Sequence, residues 1–390
     1  MSRKRFVQTL ATGASALVLA RPLRGLADAA APLKITDPFH GAVLNHRLGQ
    51  TVPDGLKIRV QGVAATSDRV TVNGVPATRE GDQFTAEVIL RSKENTITAT
   101  AEGVYGQRQH QVRVLWDRYS RPRYRFSVDD NSFFLRDIFQ KQYASLFDCF
   151  YLKLLRDLHT RYGTRFVLNI YYTTGDDFNL TQFPDRYRSE WEDQAHWLKL
   201  AFHAHANDPD RPYETAPPEK LIADLDQVAE QIVRFAGEAT YSPPTVIHWA
   251  MVAPEALKPL YTRGVRVLSG YFRRSGQRWD INYRLDDTRS EYLSRNDALM
   301  DFDSGIVFSK VDIICNTVPV ADTVPQLAAL AADPRQAEIM DLFTHEQYFW
   351  PFYSNYIPDH GERLETAIRW VTEQGYQPVF FHEGLLGGKV

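Results

Sequence analysis

Residues 123–134 read RYRFSVDDNSFF, an apolar run that ends in two adjacent carboxylates, Asp129 and Asp130, and then enters an aromatic pair. A strand gains no core from two aspartates, and neighbouring like charges repel. Two readings compete. Aspartate favours turns and helix N-caps, so Asp130 or Asn131 could simply cap the segment NSFFLRDIFQ. In a parallel α/β domain, however, the C-terminal ends of strands form the functional face, and an acid doublet there suits a metal and acid/base site. The choice depends on the fold that the rest of the chain builds.

Downstream of the doublet the pattern alternates between strand and helix. SLFDCFYLKLLRDLHTRYG (145–163) is an amphipathic helix closed by Gly163, and TRFVLNIYYT (164–173) is a strand. KLAFHAHAND (199–208) is a strand, PPEKLIADLDQVAEQIVRFAGE (217–238) a helix with proline at its start, and TVIHW (245–249) a strand. IMDLFTHE (339–346) and PVFFHE (378–383) are further strands, separated by the helical ERLETAIRWVTEQG. Strands and helices in turn over residues 123–390 predict an α/β domain with a parallel sheet, of a size that suits a (β/α) barrel.

Upstream the period is different. LKIRVQGVA, RVTVNGVPA, QFTAEVIL, NTITATAEG and RQHQVRVLW alternate apolar and polar residues with turn signals every 8 to 12 positions, and Asn73-Gly74 is a strong hairpin signal. Residues 33–116 therefore predict an all-β sandwich of immunoglobulin-like type, joined to the α/β domain through the polar DRYSRPRY at 117–124. The phrases VTVNGVPA and ENTITATA resemble the small β-sandwich modules appended to secreted carbohydrate-active enzymes.

The 390-residue length suits two domains. A net charge of −3 without a basic patch argues against nucleic acid as a partner. The 48 aromatic residues (19 Tyr, 22 Phe, 7 Trp) suit sugar rings, although a large core also absorbs many. The N-terminus has a basic start, an apolar segment from Leu10 to Ala20 and small residues at 27–29, the layout of an export signal with cleavage after Ala29. SRKRFVQ resembles the twin-arginine export motif with Arg3-Lys4 in place of Arg-Arg; ordinary secretion is the alternative route. The apolar segment is too short for a stable membrane span, so the expectation is a periplasmic or secreted protein. Cys149 and Cys315 read as buried small hydrophobes, with one long-range disulfide as the alternative, and no cysteine zinc motif occurs.

Five of the eleven histidines fall on or at the ends of predicted strands: His203, His205, His248, His345 and His382. His203 and His205 are two apart, so on a regular strand they share a face and could share a metal. The competing reading is a pair of hydrogen-bonded core histidines. One aspartate of the doublet could bind a divalent cation while the other accepts a proton from a polarised water. HEQYFWPFYSNY (345–356) places six aromatics just after His345, either a stacking platform for sugars or the packing of a long loop. Glu346, Tyr348, Trp350, His382 and Glu383 are the candidate substrate-binding residues.

SVDDN, FHAHAN and DLFTHE, in that order, resemble the metal-dependent polysaccharide deacetylase superfamily, whose fold is a distorted (β/α) barrel. The family's Thr-Phe-Asp-Asp-Gly motif implies Asp129 as base and Asp130 as metal ligand. Its His-Ser/Thr-x-x-His motif implies His203 as a ligand; the second histidine would fall at Asn207, so His205 or His248 must supply that ligand. Its Leu-x-Leu-x-His motif implies His345 as general acid. The Arg-x-Pro motif has no clear counterpart, since YSPPT has the prolines without the arginine. The resemblance implies a divalent metal, most often zinc, and the removal of N- or O-acyl groups from a glycan. Two alternatives remain open: a glycoside hydrolase or lyase using carboxylates such as Asp129, Glu346 and Glu383, and a carbohydrate-binding protein without catalysis.

Overall fold

The computed structural model describes residues 32–386, so the export-signal reading of residues 1–29 lies outside the described part. Residues 33–116 form two five-stranded sheets. One joins Leu33–Asp37, Gly55–Ala64, Gln83–Leu90 and Thr78–Glu80, with Gln50–Val52 also on Gly55–Ala64. The other joins Val43–Leu44, Gly106–Trp116, Glu94–Gly103, Arg69–Val72 and Val75–Pro76. Alternation decides their faces: along QFTAEVIL every second residue is buried. Ile58, Val60 and Phe84 of one sheet meet Val72, Ile97 and Val114 of the other in one apolar core. The Asn73-Gly74 turn forms as expected, with φ of 47° and 80°, the doubly positive backbone that a two-residue hairpin needs.

The second region is built round the doublet strand, β1 (Arg123–Asn131). It pairs in parallel with β2 (Phe166–Tyr171) on one edge and with the Ile339–His345 strand on the other. β3 (Leu198–Ala204) extends the sheet beyond β2. β4 (Val267–Gly270) and β6 (Ile306–Lys310) form a smaller parallel pair, with β5 (Ala298–Asp301) antiparallel to β6. β7 (Ile313–Ile314) follows β6 and joins β8, the Ile339–His345 strand; β9 (Gln377–Pro378) touches only the start of β1. Backbone bonds also cross between the sheets. Ser242 N–H donates to the Leu200 carbonyl at 2.9 Å, Ser269 N–H to Thr245 at 2.8 Å, and Asp312 N–H to Asp341 at 2.9 Å. Nearly every residue of β1 and β2 is buried, as expected of parallel strands covered on both faces.

Helices cover the outside: α1 (Phe133–Lys141), α2 (Phe150–Tyr162), α3 (Arg188–Gln194), α4 (Pro218–Ala236), α5 (Leu257–Thr262), α6 (Asp287–Leu293), α7 (Val320–Ala331) and α8 (His360–Glu373). α2 stops at Gly163, whose φ of 70° supplies the left-handed cap. Among the described residues no helix is long and apolar enough to cross a membrane. Cys149 and Cys315 are free and buried.

Three sequence expectations change here. TVIHW is not a strand: before it Tyr241 makes only an isolated bridge to Leu200, Thr245 lies at a bend, and His248–Ala250 is a 3₁₀ turn. PVFFHE pairs with β1 only at its start, through Pro378 and the Val379 N–H that donates to the Tyr124 carbonyl at 2.9 Å, before turning into the 3₁₀ segment Phe381–Glu383. Neither Asp130 nor Asn131 caps α1. The cap is Glu346, whose carboxylate accepts the N–H groups of Ser132, Phe133 and Phe134 at 2.6, 2.9 and 2.6 Å.

The two regions touch. Phe39 stacks on Tyr292 of α6 at 4.7 Å between centroids, and the buried Arg123 donates to Asp117 at 2.9 Å. Cavities of about 370 and 400 Å³ lie along this junction, lined by Phe39, Thr288 and their neighbours rather than by the doublet.

Candidate metal centre

The doublet escapes strand alternation through a bulge. Asp129 still faces His345 across the β1–β8 ladder, but pairing with β2 jumps from Val128↔Leu168 to Asn131↔Ile170. Asp130 sits in this bulge with a φ of 59°, a backbone that an ordinary side chain rarely adopts. Two neighbours that should point oppositely can therefore both turn towards the C-terminal end of the sheet.

There Asp130 meets two histidines. His203 Nε2 lies 3.1 Å from Asp130 Oδ1, His248 Nδ1 lies 3.4 Å from the same oxygen, and the two ring nitrogens are 3.1 Å apart. The three ligand atoms all fall within 4.8 Å of one another, and both histidines are buried. Two imidazole nitrogens that face each other this closely need a proton or a cation between them, and a carboxylate oxygen completes a donor set suited to a divalent ion. Asp130, His203 and His248 are thus positioned to bind a metal ion.

The electrostatics favour positive charge between these groups. Burial alone would raise the Asp130 carboxyl, but hydrogen bonds from His203 and His248 and the charge of His345 hold it well below the usual carboxylate range. Burial opposes charge on His203, yet Asp129 and Asp130 together raise it above its ordinary value. Each partner thus favours the ionised pair.

The other candidates divide by place. Asp129 is buried beside the cluster and accepts from Asn169 Nδ2 at 2.5 Å. His345 is half-buried; its Nδ1 pairs with Asn316 Oδ1 at 2.9 Å, and its Nε2 stands 3.9 Å from Asp130 Oδ2. His205 is not in the cluster: its ring stacks on Tyr172 at 5.0 Å, and its backbone N–H goes to Tyr213. The reason is a second irregularity. The β2–β3 register steps from Ile170↔Phe202 to Tyr171↔Ala204, leaving His203 as the extra residue, and the strand ends at Ala204. The same-face rule assumed a regular strand. His248 takes the ligand position instead, and its Nε2 reaches the Asn207 carbonyl at 3.3 Å.

Of the proposed substrate-binding residues, Tyr348 lies beside His345, with ring centroids 6.0 Å apart. Glu346 is buried and held by three backbone N–H groups and by Trp350 Nε1 at 3.1 Å, which also accounts for the buried Trp350. His382 and Glu383 stand at the opposite end of the strands. His382 pairs with Ser242 Oγ at 3.0 Å, and Glu383 with Arg165, the residue just before β2. β9 is too short to carry them to the doublet.

Sequence reasoning missed four residues here. Tyr171 O–H donates to Asp130 Oδ1 and lies 3.1 Å from His248 Nδ1. Gln347 Nε2 donates to Asp130 Oδ2 at 2.8 Å. Asn169 and Asn316 each hold one of the flanking groups. Single amides and a phenol in a tyrosine-rich chain carry no spacing signal; only the period of two that puts Asn169 and Tyr171 on one face of a strand could have singled them out.

No protein-family model matches this chain, and neither does any curated protein. Among solved structures, the 4-alpha-glucanotransferase from Thermococcus litoralis aligns over 68% of this chain and 40% of its own, at 12% identity and a TM-score of 0.43. A putative alpha-galactosidase from Bacteroides fragilis aligns over 87% of this chain and 78% of its own, at 11% identity and a TM-score of 0.27. A carbohydrate acetylesterase from Xanthomonas citri aligns over 86% and 74%, at 11% identity and a TM-score of 0.18. These scores are all below 0.5, and what identifies the site is its own geometry: a carboxylate and two histidines set to hold a metal ion.

Proposed function

We propose that this protein is an exported, metal-dependent hydrolase of the polysaccharide deacetylase type that removes acyl groups from a glycan. The observation that carries the reading is the convergence of Asp130, His203 and His248, with Asp129 on one side and His345 on the other. Asp130, His203 and His248 would hold the cation, and two imidazoles with one carboxylate suit zinc. A bound divalent ion supplies the electrophile that polarises a water and the acyl carbonyl.

The chain's own groups supply the proton transfers. Asp129 accepts the proton of the attacking water. Its neighbour Asn169 donates to one carboxylate oxygen. His345 gives a proton from Nε2 to the leaving amine or alcohol, while Asn316 fixes its other nitrogen. Tyr348 beside His345 offers an aromatic face to a sugar ring.

The wider architecture fits the same reading. β1, β2, β3, the 241–247 segment, β4, β6 with β7, and β8 are linked in turn by backbone bonds and chain continuity, which we read as a distorted (β/α) barrel within residues 123–386. Residues 33–116 are read as an immunoglobulin-like module, and residues 1–29 as the export signal. A glycosidase needs a second carboxylate across the cleft, and of those named for it Glu346 is enclosed by backbone donors while Glu383 lies at the far end.

The test is the metal content of the purified protein, with and without His203→Ala, followed by acetate release measured against new reducing ends on a panel of acylated glycans. Stoichiometric divalent metal lost in the variant, with acetate as product, is the expected result. A metal-free native protein would sink the proposal, and reducing ends without acetate would turn it into the glycosidase reading.

A further inference from the structure

Asp129 and Asp130 are chemically identical, adjacent and largely shielded from water, yet the reading above gives them different tasks. Something must tell them apart. β2 supplies two inward-facing donors two positions apart, one for each carboxylate. Asn169 Nδ2 donates to Asp129 Oδ1 at 2.5 Å, and Tyr171 O–H donates to Asp130 Oδ1.

The two donors differ in what they leave available. Asn169 is fully buried, and its Oδ1 has no hydrogen-bond partner among the described residues. A carboxylate can only accept, so the amide must turn its NH2 towards Asp129 whatever its other side finds. An amide does not surrender that proton, so it orients Asp129 without competing for the proton that Asp129 receives. Tyr171 bonds the very oxygen that faces His203 and His248. Its ring is edge-on to His248, with centroids 5.3 Å apart. A hydrogen bond to a ligating carboxylate fixes which lone pair points at the metal.

We propose that β2 sorts the doublet: Tyr171 sets Asp130 for the cation, and Asn169 sets Asp129 for proton transfer. Both are positioning residues. The sorting rests on the metal-centre reading, and the experiment separates the two. Zn²⁺ affinity is measured by titration calorimetry on the metal-stripped native protein, on Tyr171→Phe and on Asn169→Ala, and the visible spectrum of each Co²⁺-loaded protein is recorded. Tyr171→Phe should weaken Zn²⁺ binding about 10- to 100-fold and shift the Co²⁺ spectrum. Asn169→Ala should leave both unchanged within about 2-fold and lower kcat for acetate release about 10- to 100-fold at constant KM.

A native protein that binds no Zn²⁺ refutes the metal centre itself, before any variant is compared. If Zn²⁺ binds but both variants weaken it equally, or Tyr171→Phe does not weaken it, the sorting is wrong and the metal centre stands. If the native protein binds Zn²⁺ but releases no acetate, the hydrolase reading fails while the affinity split still decides the sorting. Circular dichroism checks the fold, and Asn169→Ser replaces the alanine variant should that one not fold.

Discussion

The two ends of the parallel strands carry the same kinds of side chain in opposite surroundings. At the C-terminal end, His203 lies among carboxylates, which raise it above its ordinary value against the opposing effect of burial. At the N-terminal end, burial together with Lys199 and Arg165 pushes His382 down to about 4. One end draws positive charge inwards; the other keeps its histidine neutral. A histidine's type and its place near a predicted strand therefore do not reveal its role. The field of its neighbours does.

The largest expected break in this contrast is His203→Ala, which removes one of the three groups positioned to bind a metal ion and should take bound metal from about one equivalent to near zero, read by elemental analysis. Next come Asp129→Asn and His345→Ala, each expected to cut acetate release about 10²- to 10⁴-fold while metal content stays unchanged. A loss of metal in either would mean that it is a ligand and not a proton carrier.

At the far end, His382→Gln should leave metal and activity alone and change the response to acid. The folded value of His382, about 4, lies below the ordinary 6.5, so the unfolded chain binds more protons between those pH values. Stability is therefore lost as pH falls from 6.5 to 4, by about 3 kcal/mol from this group. The variant should flatten that part of a pH series of denaturant midpoints, and an unchanged slope would remove the contrast. The smallest effect belongs outside both ends. Gly74→Ala strains a hairpin position of φ 80° with open space around it and should cost about 1 kcal/mol, with metal affinity untouched.

Much of the architecture was legible because periods are legible. The alternation in QFTAEVIL and the Asn73-Gly74 turn gave the first two sheets, and the helix ending at Gly163 gave α2. The metal cluster was legible in part, since Asp130 and His203 were both named from the sequence. It was illegible where the backbone departs from its period. Bulges at Asp130 and His203 turn one aspartate in and leave His205 against Tyr172, and alternation can foresee neither. His382 and Glu383 were misplaced because β9 pairs through two residues only, a length that composition does not encode.

Glu346 has a consequence for motion. It follows His345 directly, and its carboxylate holds the amides of residues 132–134, which directly follow the doublet strand. Its own N–H donates to the Asp129 carbonyl at 3.0 Å. One side chain thus clamps two strand ends that are separated by more than 200 positions in the sequence. The amide hydrogens of Ser132, Phe133 and Phe134 should be among the slowest in the protein to exchange with solvent, opening only when the central sheet itself comes apart. The first turn of α1 would then be a rigid floor, and adjustment to a bound molecule would fall to the exposed rim around Phe352 and Tyr356.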